Sequence, residues 1–83
     1  QNLTLSLTEL YGGMSTTGHS HADADEVYIF INGSGSIDID TDNEKVKGGD
    51  VVLVPRGKFH KVYNEGPETF SFWSVFEKYG DRR

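Results

Sequence analysis

The chain has no cysteine, no apolar run of the roughly 18 residues that would cross a bilayer, no cluster of basic residues and no convincing helical stripe. Each absence excludes something. Without thiols, neither a disulfide framework nor a thiolate metal site can form, so packing, with or without a bound ion, must hold the fold; this composition fits a reducing cytoplasm. The missing apolar run, with no basic-then-apolar N-terminal pattern, makes a membrane an unexpected partner. Eight basic residues against thirteen acidic ones give a net charge of −5, and no positive stripe follows a phosphate backbone, so nucleic acid is not expected either. The sequence begins at Gln1 rather than Met, which is compatible with trimming and with a missing N-terminal strand.

What is present is alternation. At 83 residues the chain is read as a single domain, residues 1–83, of a size that buries only about 60% of its unfolded surface, so self-association is expected. Nine of its apolar residues are Phe or Tyr and one is Trp, which makes a modest core feasible. Leu3, Leu5 and Leu7 alternate with Thr4, Ser6 and Thr8, predicting a strand from residue 3 to about 10 with the leucines as its buried face. EVYIFI predicts a second strand, Gly33 and Gly35 a turn, and SIDIDT a third strand with Ile37 and Ile39 inward. TDNE is expected at the next hairpin tip. VVLV, FHKVYN and TFSFWSVFE follow as strands, separated at Pro55 and Gly57 and at the EGPE turn. The expected class is all-β, a sandwich or barrel.

Three histidines are all the chain contains, and they fall into a pattern. Gly13 is followed after five residues by His19-x-His21, after four more by Glu26 and after six more by Gly33. Downstream, Gly49 is followed after five residues by Pro55-x-Gly57, after two by His60 and after three by Asn64. These two segments resemble the two motifs of the cupin superfamily at every defining position, over residues 13–64. The resemblance implies a small jelly-roll β-barrel. It also implies a site in which His19, His21, Glu26 and His60 bind one divalent transition metal ion.

Strand geometry agrees with that implication, because residues two apart point the same way and His19 and His21 would present both imidazoles to one side. Glu26 would come from the next strand and His60 from the other motif. Three neutral nitrogens and one carboxylate around a divalent ion leave a charge of about +1, suited to an anionic or oxygen-rich small molecule. Zinc could close a tetrahedral site with four such ligands, whereas iron, manganese, nickel or cobalt would keep two positions open; the open site is favoured. By parity with Glu26, Tyr28 and Phe30 face inward, making Tyr28 a candidate wall of the pocket and a candidate catalytic residue beside Glu26. Val27, Ile29 and Ile31, with Phe59 and Tyr63, are placed on an outer face that is expected to form a homodimer interface or to pack under a second sheet.

Other signals carry less. DIDTDNE, residues 38–44, imitates a calcium loop but has Asn43 and Gly49 where Gly and a bidentate Glu are needed, and reads as a solvated hairpin edge. Gly33-x-Gly35 has no helix after it and is not a phosphate cradle. Asn2-Leu3-Thr4 and Asn32-Gly33-Ser34 match the glycosylation pattern by coincidence, given no secretory signal. Asn64 is read as bonding its own turn. Arg56 and Lys58 are read as loop cations within reach of the pocket mouth.

Three functions compete. The EVYIFINGSG segment resembles small sugar-phosphate isomerases among the cupins, which implies an isomerase or epimerase of a sugar or related hydroxy-carbonyl compound, with Glu26 or Tyr28 moving the proton. The ligand set is equally compatible with an iron-dependent dioxygenase or oxidase. A non-catalytic cupin that senses or carries a small ligand is the third.

Overall fold

The computed structural model describes residues 2–18, 20 and 24–78. Seven strands make up the described fold: β1 (Asn2–Leu10), β2 (Glu26–Asn32), β3 (Ser34–Ile39), β4 (Asp42–Lys47), β5 (Val51–Val54), β6 (His60–Asn64) and β7 (Phe70–Lys78). They form a four-stranded sheet in the order β1-β7-β2-β5 and a three-stranded sheet in the order β4-β3-β6. Every pairing is antiparallel. This is the all-β, jelly-roll architecture expected. No helix of the described residues is long and apolar enough to cross a membrane.

The core lies between the two sheets. Leu10, Tyr28, Phe30, Phe70 and Phe72 enter it from the larger sheet, and Ile37, Val46 and Val62 from the smaller one. The aromatic rings stack in pairs, Tyr28 on Phe72 with centroids 5.4 Å apart and Phe30 on Phe70 at 5.1 Å. Parity within β2 is as expected: Tyr28 and Phe30 are buried while Ile29 and Ile31 are exposed. His60 and Val62 likewise share the buried face of β6. Asn64 bonds its own turn through Gly66 N–H, as read from the sequence, and it also donates to the carbonyls of Leu10 at 2.8 Å and Glu68 at 2.6 Å. One buried amide thus ties the ends of β1 and β6 to the loop before β7.

Four expectations are corrected. The leucines of β1 face outward, with Leu3, Leu5 and Leu7 68%, 59% and 52% exposed. Leu10, buried opposite Phe70, sets the inward parity, and with it Thr8, Ser6 and Thr4 turn toward the interior. Gly35 lies inside β3 rather than in a turn, because a Cβ there would collide with the Tyr63 carbonyl of the paired strand and the Phe70 ring. The turn belongs to Gly33, whose φ of +89° suits glycine. The hairpin tip falls at Asp40 and Thr41, and the DNE of the expected tip opens β4. Tyr63 faces out from the smaller sheet, with its hydroxyl on Asp38 at 2.7 Å, so it does not share a surface with the isoleucines of β2.

The acidic run is structural. Asp38 accepts from Asn43 and from the Tyr63 hydroxyl, and these bonds hold its carboxyl below the usual range. Glu65 accepts from Lys45 at 2.8 Å and Ser36 at 3.0 Å and is lowered for the same kind of reason. A carboxyl with a depressed folded pKa adds stability above its unfolded pKa and loses it as pH falls through the folded one. The thermal midpoint is therefore expected to drop between neutral pH and about pH 3, and Asp38→Asn to flatten part of that slope. A profile in which Asp38→Asn tracks the parent at every pH contradicts this account. Phe72→Ala is expected to destabilise by about 3–5 kcal/mol in urea unfolding, as removal of a fully packed ring does.

Candidate functional site

Glu26 opens β2 in the larger sheet, paired with Val54 of β5 and Phe76 of β7. His60 opens β6 in the smaller sheet, opposite Ile39. Each points inward, and both are buried, at 4% and 2% exposure. Across the interior, Glu26 Oε1 stands 3.1 Å from His60 Nε2.

The other ring nitrogen decides what this contact means. His60 Nδ1 lies 3.1 Å from the Lys58 carbonyl oxygen, which can only accept, so Nδ1 carries the hydrogen. A neutral His60 then aims the lone pair of Nε2 at a carboxylate oxygen, and two acceptors this close call for a proton or a cation between them. Burial works against protonation of His60, but the Glu26 carboxylate and the Lys58 carbonyl outweigh it, leaving its pKa above the usual histidine value. Tyr28 meets the His60 ring edge-on at 5.7 Å between centroids. Its phenol is pushed up by burial and then by the adjoining Glu26 carboxylate, to which it hydrogen-bonds.

A metal ion fits this pair. Two donors about 2.1 Å from one ion stand about 3.0 Å apart at a right angle and about 3.4 Å apart at the tetrahedral angle. The observed 3.1 Å leaves both atoms within reach of a single ion. Of the residues expected to bind metal, Glu26 and His60 are brought together, with Tyr28 beside them. His19 and His21 lie outside the described residues. Among the described residues no cluster of three or more His, Cys, Asp or Glu occurs.

The surrounding loops fix the pair. Asp40, in the left-handed region at φ 54°, donates its N–H to the Phe59 carbonyl at 2.8 Å and accepts the Phe59 N–H on its carboxylate at 2.9 Å. Lys58 joins the same carboxylate at 3.2 Å. The tip of the β3–β4 hairpin thereby clasps the residue before His60. Next to Glu26, Asp25 accepts the Arg56 N–H at 2.8 Å, with the guanidinium at 3.5 Å. Arg56 and Lys58 are thus exposed loop cations engaged by carboxylates. Thr16 exchanges two bonds with Val62, its N–H to the carbonyl at 2.9 Å and its hydroxyl from the N–H at 3.0 Å. Gly18 lies so close to the Phe59 ring that a Cβ there would collide with it.

Asp40 escaped the sequence reading, where it was one of three alternating aspartates on a hairpin; only its position at the tip hints at a left-handed turn residue. Asp40→Ala is expected to speed hydrogen exchange of the Phe59 amide by roughly fivefold, the effect of losing about one net hydrogen bond. An unchanged exchange rate contradicts the clasp.

The family model described as the cupin domain matches residues 6–76. Among solved structures, a predicted oxalate decarboxylase of Thermotoga maritima is 26% identical with a TM-score of 0.84, over 87% of this chain and 63% of that one. A cupin 2 conserved barrel domain protein of Salinispora arenicola is 27% identical with a TM-score of 0.85, over 94% of this chain and 65% of that one. A cupin protein of Bacteroides fragilis is 21% identical with a TM-score of 0.88, over all of this chain and 71% of that one, a likeness of fold. The chain spans 63% and 65% of the lengths of the first two. Among proteins of curated function, none matches the sequence.

Proposed function

Since the chain belongs to the cupin domain family, we propose that it holds one divalent transition metal ion through His19, His21, Glu26 and His60 and acts on a small oxygen-rich molecule beside it. The observation that carries this reading is the buried Glu26–His60 contact at 3.1 Å, with Nδ1 of His60 committed to a carbonyl. Iron, manganese, nickel, cobalt or zinc would suit these nitrogen and oxygen donors, and the six-coordinate ions would keep two positions open for the ligand. When bound, the ion would polarise oxygens of the ligand and stabilise the charge that develops on them.

The chain's own residues supply the rest. Lys58 O orients the His60 ring, and the Tyr28 edge and the Phe72 ring behind it keep water from the floor. When released from the ion, Glu26 would be able to take a proton from a carbon beside a carbonyl and return it to the neighbouring carbon, the step of an isomerase, or to the other face of the same carbon, the step of an epimerase. Tyr28, buried and bonded to that carboxylate, acts as hydrogen donor.

The test begins with metal content of the protein expressed without added metal. His60→Ala is expected to weaken metal binding at least a hundredfold; stoichiometric metal retained in that variant refutes the ligand role. Hydroxy-carbonyl compounds incubated with the metal-loaded protein in D₂O should then exchange the proton beside the carbonyl, followed by NMR. Oxygen uptake with no such exchange points instead to iron-dependent oxidation, and neither activity to a carrier or sensor.

The partner is a second copy. On the outer face of the larger sheet, two rows run apolar across all four strands, Leu7-Trp73-Ile29-Val51 and Leu5-Val75-Val27-Leu53. With Leu3 and Ile31 they offer on the order of 600 Å² of apolar surface, against about 800 Å² per partner in a standard interface. A flat patch of this kind pairs with itself about a two-fold axis. Sedimentation velocity is expected to give a dimer, and Leu5→Lys with Leu53→Lys a monomer; a monomeric parent overturns the proposal.

A further inference from the structure

The smaller sheet has a second polar end. His60 pairs with Ile39 and Asn64 with Gly35, four positions away on β3, so about 13 Å of strand separates the two ends. At the end remote from Glu26 and His60, a cleft of about 390 Å³ is lined by Ser34, Gly35, Lys45, Lys47, Glu65 and Gly66. Ser34 and Gly66 also border an adjoining hollow of about 300 Å³, which Pro67 and Glu68 line. Small-molecule sites occupy roughly 300–1,000 Å³, so the two lobes together suit one small ligand.

Buried groups hold these walls in place. Ser36, fully buried, donates to Glu65 Oε2 at 3.0 Å, while Glu65 Oε1 meets Lys45 at 2.8 Å. Buried Asn64 accepts the Gly66 N–H at 3.0 Å and donates to the Glu68 carbonyl at 2.6 Å. Asp50 accepts the Lys47 backbone N–H at 2.9 Å but reaches the Lys47 ammonium only at 3.5 Å, which leaves that cation loosely held. Walls fixed before a ligand arrives lose less entropy when it binds.

Gly66 is the informative residue. Its φ lies outside the left-handed region, and a Cβ there would meet Ser34 Oγ at 3.7 Å and Asn64 Oδ1 at 3.9 Å, which are ordinary contacts. Every other described glycine has a positive φ or a neighbour crowding its Cβ position. The following proline favours extended backbone at residue 66, a conformation open to any residue. Neither the fold nor the turn therefore requires a bare backbone at Gly66, whereas a ligand lying against it does.

Charge selects the ligand. Lys45 and Lys47 share the larger lobe with Glu65 and Asp50, and Glu68 stands at the smaller one. A simple anion would meet the carboxylates as well as the lysines, and a simple cation would meet the lysines as well as the carboxylates. A molecule with one charge of each sign at its two ends answers both. We propose that this cleft binds a small zwitterion, its carboxylate on Lys47, its ammonium toward Glu68 and a short aliphatic chain crossing Gly66. The site is separate from the Glu26–His60 pair and does not depend on it.

The experiment titrates γ-aminobutyrate, butyrate and butylamine separately into the parent, Gly66→Val and Lys47→Gln proteins, following backbone amides by NMR. γ-Aminobutyrate is expected to shift the amides of Ser34, Gly35 and Gly66, saturating in the millimolar range and binding about tenfold more tightly than either singly charged analogue. Gly66→Val should weaken binding about tenfold while its thermal midpoint stays within about 3 °C of the parent, which a structural glycine would not allow. Lys47→Gln, an exposed substitution, should weaken it about fivefold. Metal-loaded and metal-free protein should bind alike. Absence of saturable shifts, equal affinity for butyrate or butylamine, or unchanged affinity in Lys47→Gln overturns the proposal whatever the metal content. So does a Gly66→Val protein that binds as the parent does or that loses its fold.

Discussion

A carboxylate and an imidazole, each at the first position of its strand and each from a different sheet, face one another at 3.1 Å inside the protein. Polar groups are placed in such an interior only at a price in solvation, and here the surroundings are built to hold them. The Lys58 carbonyl fixes the histidine tautomer, Tyr28 bonds the glutamate, and stacked aromatic rings close the space behind both. The same pair lies at the seam between the two sheets, so whatever ion or proton sits between them also joins the halves of the fold.

Support reaches the pair from outside the core. The left-handed Asp40 clasps the backbone before His60, and Asp25 with Arg56 secures the chain just before Glu26. These carboxylates are exposed or nearly so, and each works through a backbone N–H whose position it sets. Asp40, which sat in a run resembling an ion-binding loop in the sequence, thus serves as a loop clasp. Its usefulness comes from geometry at a hairpin tip, where a short side chain reaches the neighbouring backbone.

β1 stands at the edge of the larger sheet and turns unlike residues to its two sides. Its outward leucines complete two apolar rows across the larger sheet, while its threonines and serine share the face of the buried Leu10. Ordinary amphipathic strands do the reverse. The two features are therefore one observation about the orientation of a single strand.

Strand positions, their breaks at glycine and proline, and the inward parity of Glu26, Tyr28, Phe30 and His60 were legible in the chain, because period-two alternation and turn chemistry are local. So was the pattern of the two motifs, which tied His60 to Glu26 across more than thirty intervening residues. Alternation, however, defines two faces without saying which is inside. In β1 both faces are regular, and the choice was made at a distance, by the register that sets Leu10 against Phe70. Gly35 likewise reads locally as a turn residue; the Tyr63 carbonyl from a partner strand explains why a glycine stands inside β3. Nor could local spacing specify that Asp40 would meet Phe59, or that Ser74 would fall beside Tyr28. Those contacts depend on which strands become neighbours, and only the tertiary structure decides that, because the pairing energy belongs to the sheet as a whole.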